Sequence, residues 1–426
     1  MIDYDPLSPE VKQDPQKYFS VLREECPVHH HVLDDVDVEK MNRNPWIAEP
    51  VGEFWSVFRY EDSIRIAQDA KRFSSREGPG GPERLRAMTE EGMLIFADDP
   101  AHRWQRSIAN RAFTPRRVAE LEPDIQRVAD DVIDSLHPRG ECDLFTEFAA
   151  PMTIRVIAKI VGGVDDSRID DFFRWGNDTM GAFGSDDDFA ERSFASAMEF
   201  HAYFSEILDA RRTALAQGDP VPDDILNALI VAEAEGRKLS DVELFMGAQQ
   251  LMTAGFETTT TALANGIWLL DQHPEQRALV ENDPALIPEL VEETLRFASP
   301  VEGLYRTTNE DVEIHGTRIP KGSRVRFVLS AANRDSRQFE RADEFDLMRD
   351  PVDLRKHVAF GHGIHTCLGA ALARIEMKVA FETLLRRLPN LHVDPDKTPT
   401  RNPFLLVSGF NYLPVLWDRP ETAPGM

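Results

Sequence analysis

The spacing of apolar and polar positions changes several times along the chain, and each change marks an element. A long helical pattern opens at Ser240-Asp241-Val242-Glu243, where the serine and the glutamate three residues on can cap each other's backbone amides. It continues to His273, just before Pro274. A shorter helix is predicted from Pro288 through Arg296, ended by Ser299-Pro300. Leu368, Leu372, Ile375 and Val379 mark the buried face of another, which runs to Leu388 and stops at Pro389. A further helix begins at Asp99-Pro100. From about Val118 to Arg237 the pattern is mostly helical, with polar breaks at 162–163, 185–188 and 218–220. Alternating stretches are short: Phe54 to Phe58, Val312 to Ile319 around a His315-Gly316 turn, and Val325 to Val328. Phe404 to Phe410 reads as a hairpin. The pattern predicts a mainly α protein with small β-sheets. No repeat or low-complexity linker divides it, so residues 1–426 read as one domain.

Charge and cysteine usage narrow the class. The chain has 48 basic and 74 acidic residues, a formal net charge of -26, which disfavours a nucleic-acid or anionic-membrane binder. Three cysteines, Cys26, Cys142 and Cys367, argue against a disulfide framework and for a reducing compartment. No signal-peptide pattern and no apolar run of membrane-spanning length is visible, so a cytoplasmic location is expected. His29-His30-His31 lies on an extended stretch whose side chains alternate in direction, which disfavours a metal tract. The glycine- and proline-rich stretch at 78–82 opens a loop that runs to about Phe96 and carries Met88, Met93, Leu94, Ile95 and Phe96. It reads either as a substrate lid or as a loop folded on the core. Arg84 and Arg86 within it read as solvated charges.

The candidate chemistry centres on Phe360-Gly361-His362-Gly363-Ile364-His365-Thr366-Cys367-Leu368-Gly369. The cysteine stands where a loop becomes a helix, near unpaired amides and a positive dipole end that favour thiolate. Gly361 and Gly363 allow a sharp turn close to a flat partner. Phe360 can shield the sulfur from water. A lone shielded thiolate suits an axial ligand to haem iron better than a zinc site. Upstream, Ala254-Gly255-Phe256-Glu257-Thr258-Thr259-Thr260-Thr261 puts glycine and four threonines mid-helix, poor helix-forming material. Threonine hydroxyls can bond back to earlier carbonyls, bend the helix, and leave a groove. His102 and Arg106 share a helix face at i, i+4, as do Glu293 and Arg296 at i, i+3. Arg103, Arg106, Arg111, Arg116 and Arg117 form a basic stretch without an acid, read as a docking patch for an acidic partner or as an ordinary basic helix face.

The cysteine stretch resembles the haem-thiolate loop of the cytochromes P-450, matching every signature position. The Ala-Gly-x-Glu-Thr, Glu-x-x-Arg and His-x-x-x-Arg stretches match the same family in order, so the resemblance covers about Asp14 to Trp417. It implies haem b between the long central helix and the cysteine helix, with Cys367 on the iron. It implies that His102, Arg106, Arg306 and His365 hold the propionates, that Phe360, Gly361, Leu368, Gly369 and Ala254 line the cofactor, and that Glu257 and Thr258 supply protons. Glu293 and Arg296 would be a structural buried pair. The implied reaction is monooxygenation of a hydrophobic molecule, a terpenoid, steroid, fatty acid or aromatic, with electrons from NAD(P)H through a ferredoxin or flavodoxin. Leu94, Phe96, Leu251, Val301, Leu405 and Leu406 are the expected apolar pocket walls. The alternatives are a peroxide-using or isomerising haem-thiolate enzyme and a non-catalytic haem-thiolate sensor. The chain departs from the family at Ser336 and Ala342, where prolines are usual.

Overall fold

The computed structural model describes residues 4–32, 53–76, 92–162, 166–180, 189–234, 236–402 and 406–419. Nine helices matter for the site: α1 (Tyr60–Gln68), α2 (Ala101–Ala112), α3 (Glu122–Leu136), α4 (Ala150–Gly162), α5 (Ile169–Met180), α6 (Phe189–Gln217), α7 (Asp241–Gln272), α8 (Ile287–Phe297) and α9 (Ala370–Arg387). Five short strands, β1 (Val28–Val32), β2 (Glu53–Val57), β3 (Phe73–Ser74), β4 (Leu304–Thr308) and β5 (Arg324–Phe327), form one sheet in the order β1-β2-β5-β4-β3. Its β2–β5 pair is parallel, with Trp55 opposite Val325, and the neighbouring pairs are antiparallel. The alternating stretch from Val312 becomes a two-stranded hairpin, with His315 and Gly316 both at positive φ in its turn.

α7 is the axis of the helical part. Both halves of its capping box are made: Ser240 Oγ accepts from the Glu243 amide and the Glu243 carboxylate from the Ser240 amide, at 3.2 and 2.8 Å. It packs against α4, α5, α8 and α9. Phe256, Leu263, Ile267 and Leu270 lie in the main apolar core, with Ile154 and Met152 from α4 and Met377, Phe381 and Leu384 from α9. Close approach to α9 depends on Gly266, where a methyl group would run into the Phe381 ring. Thr253, Thr258 and Thr260 each donate to a carbonyl four residues earlier, at 3.0, 2.8 and 2.8 Å. The expected widening does not follow, because α-helical bonding continues without interruption from Asp241 to Gln272. These hydroxyls share carbonyls with the backbone ladder instead of displacing it.

α8 carries an ion pair with no solvent contact. Arg296 makes two 2.7 Å bonds to the Glu293 carboxylate, and both side chains are 0% exposed. Its remaining donors reach the carbonyls of Asn333, Ala342 and Glu344, and the Asp346 amide donates to Glu293. The pair thereby fixes the 333–346 meander, whose Ala342 carbonyl stands where a proline was expected. No helix among the described residues is long and apolar enough to cross a membrane.

Candidate active site

Between α7 and the loop before α9 lies a cavity of about 410 Å³ with a predominantly apolar wall. The cysteine loop is one wall. Gly361 and Gly363 have φ of 68° and 75°, and a methyl group at Gly363 would strike the Ala67 carbonyl at the end of α1. Only glycine allows both the turn and this seating. The loop is pinned by the Cys367 amide, which donates to the Phe360 carbonyl at 2.8 Å. Cys367 opens onto the cavity, three residues before α9 begins. Burial deep in the protein pushes its thiol up, while the Gly369 amide, Arg106 and Arg374 pull it down. Cys367 would hold a bound metal cation as thiolate. Phe360, Gly361, Leu368 and Gly369 also line the cavity, and the Arg374 guanidinium stacks 4.5 Å over the Phe360 ring.

A cluster of basic groups gathers at another edge. His102 and His365 have ring centroids 4.2 Å apart, and His365 also meets Ser75 Oγ at 3.0 Å. Burial, then Arg306, His102 and Arg106, holds His365 down at about 3. Burial and Arg106 lower His102, whose buried Nε2 has no hydrogen-bond partner among the described residues. Burial lowers Arg306 to about 10, with Asp98 as the carboxylate opposing the shift. Asp98 itself accepts from Ser74 Oγ and the Ser75 amide, at 2.5 and 2.9 Å. Two arginines, the buried His102 with its orphan nitrogen and the half-buried His365 fit a bound dianion such as a pair of carboxylates.

α7 supplies the opposite wall through Leu251, Ala254 and Thr258, with Leu94, Phe96, Val301 and Leu406 around it. Glu257 is not among the described residues on this wall. Its carboxyl is 1% exposed, bonded to Asn402 Nδ2 at 3.1 Å, and burial pushes it up to about 7. Glu257 and Thr258 point different ways because neighbouring helical positions diverge by about 100°. Leu405, Arg84 and Arg86 lie outside the described residues, as does most of the 78–97 loop. Its described end packs on α7, since a methyl group at Gly92 would run into the Met246 side chain. The basic stretch divides: Arg103, Arg111 and Arg116 are exposed and Arg106 faces the cavity. Arg116 and Arg117 are already paired, with Glu120 at 2.9 Å and Asp223 at 2.7 Å.

The sequence reading missed Phe113, Ile157, Leu239, Gln250 and Glu376 on the cavity wall. Gln250 was recoverable, because it stands four and eight residues before Ala254 and Thr258 on one helix face. Glu376 was not, since a glutamate in a helix ordinarily faces water.

The Cytochrome P-450 family model matches residues 53–410. The chain belongs to the cytochrome P-450 family. Among relatives of this P-450, Cytochrome P-450 107B1 of Saccharopolyspora erythraea is 39% identical over 85% of this chain and 88% of its own. The Vitamin D(3) 25-hydroxylase of Pseudonocardia autotrophica is 37% identical over 95% and 94%. The solved structure of CYP109Q5 from Chondromyces apiculatus superposes with a TM-score of 0.83 at 34% identity, covering 99% of each chain. The mainly α architecture with small sheets is the fold of this family, and the chain is an oxidoreductase of the monooxygenase class.

Proposed function

We propose that this P-450 hydroxylates a hydrophobic small molecule, using dioxygen and electrons relayed from NAD(P)H by a ferredoxin or flavodoxin. The observation that carries the reading is the single apolar cavity wall that holds Cys367 on one side and Ala254 and Thr258 on the other. Haem b bound in this cavity would supply the activation of dioxygen. Cys367 is the residue to hold the iron, and His102, Arg106, Arg306 and His365 are those to hold the two propionates. Phe360 and Leu368 keep water from the sulfur. The Thr258 hydroxyl, bonded to the Ala254 carbonyl at 2.8 Å, is the polar group placed to hold a proton at the cavity wall. Glu257, poised near neutrality beside Asn402, exchanges protons behind that wall instead of entering it.

The named activity of the vitamin D relative and the apolar wall both support a bulky hydrocarbon substrate. The exposed Arg103 and Arg111 support an acidic electron donor on the α2 face. The sparse cysteines support action in a reducing compartment. The test reconstitutes the haem-loaded protein with NAD(P)H, a reductase, ferredoxin and oxygen. Hydroxylated product in that mixture, but not with hydrogen peroxide alone, is the expected result. Product from peroxide alone, or an imidazole-type absorption after reduction under carbon monoxide, overturns the reading.

A further inference from the structure

The cavity wall on α7 is uneven, and one part of it has chemistry that the reaction does not use. Gln250, Ala254 and Thr258 stand at i, i+4 and i+8 and all line the cavity. Gln250 is half-buried, and its side-chain amide has no hydrogen-bond partner among the described residues. One turn earlier the wall falls away: a methyl group built on Gly247 would meet nothing within 4 Å among the described residues. Gly247 and Gln250 together make a notch with the Gln250 amide at its edge. The Glu243 carboxylate lies one further turn back, held by Arg237 at 2.7 Å and by the Ser240 amide at 2.8 Å.

We propose that this notch receives a hydroxyl or carbonyl oxygen at one end of a rigid, otherwise apolar polycyclic substrate. This deepens the hydroxylase reading above and rests on it. A side-chain amide donates and accepts, so Gln250 suits either oxygen group and requires no charge. Nothing among the described residues at Gln250 supplies a positive charge for an anionic end, and the Glu243 carboxylate is already taken by Arg237. Arg106 and His365, among the described lining residues, belong to the basic cluster already described. Spacing sets the length: Gln250 precedes Ala254 and Thr258 by about 6 and 12 Å along the helix axis. The anchored oxygen and the carbon presented beside Ala254 and Thr258 are separated by that span. A fused polycyclic skeleton bridges it, and a single small ring does not.

The experiment measures affinity of the haem-loaded protein for 5α-androstan-3-one and 5α-androstane, by equilibrium dialysis and by the ferric spin-state shift. Hexadecanoate is the anionic comparison. Wild type should bind the ketone roughly five- to tenfold more tightly than the hydrocarbon, the worth of one net hydrogen bond. Gln250→Leu, and independently Gln250→Met, should erase that preference while still binding the hydrocarbon. Gly247→Leu should weaken both steroids by filling the notch. Equal affinity of wild type for the pair, a preference surviving in both Gln250 variants, tighter binding of hexadecanoate, or binding of neither steroid overturns the proposal. The carbon monoxide spectrum of the same preparation separates the two levels: if the thiolate signature is present, only the notch assignment falls.

Discussion

Thr258 and Glu376 are the side chains whose replacement is most informative, because each has one polar role that a conservative change removes. Thr258→Ala deletes the hydroxyl on the cavity wall together with one methyl group. We expect NAD(P)H consumption to continue within about twofold while product per NAD(P)H falls roughly tenfold, in the range of a lost proton donor. Unchanged coupling would remove Thr258 from proton supply. Glu376, on α9, is buried against Thr259 of α7, and burial pushes its carboxyl up to about 8. The folded protein therefore binds this proton more tightly than the unfolded chain does. Stability from this group is fully present below about 4.5 and is lost as pH rises through about 8. Glu376→Gln should flatten the fall between those values and make the protein more stable than wild type at pH 9, read by urea unfolding. A parallel pH profile in the variant would mean that Glu376 is charged when folded.

At the level of elements, the Glu293–Arg296 pair sets what a single atom change costs. Glu293→Gln leaves Arg296 charged in a dry site and should destabilise the fold by ~3–5 kcal/mol. Urea midpoints check this, and a loss below ~1 kcal/mol would mean that water reaches the pair. Elements also show what could be read from the chain. The cysteine loop was legible because each glycine answers a backbone demand that the fold then makes, at Gly361 and Gly363. α7 was legible from its capping box and Pro274. The four threonines do not interrupt α7, since hydroxyl bonding and the backbone ladder coexist. The direction of Glu257 needed the helix period applied one residue at a time. The burial of Glu376 depends on how closely α9 approaches α7, which no local pattern encodes.

For the molecule as a whole, the net charge of -26 makes exposed arginines on the α2 face stand out. If an acidic electron donor docks there, Arg103→Glu should slow ferredoxin-supported reduction about tenfold at low salt, with the difference shrinking near 0.5 M salt. A stopped-flow rate indifferent to this change would place the donor elsewhere.

The parallel pairing of Trp55 with Val325 has a consequence for how the protein is made. At ribosomal speeds of about 5–20 residues per second, β2 waits roughly 15–50 s for its partner strand to be synthesised. During that interval the nascent β1–β2 ribbon presents an uncapped edge to its surroundings. Efficient production should thus hinge on translation tempo and on chaperones that shield this ribbon until the distal third of the polypeptide has emerged.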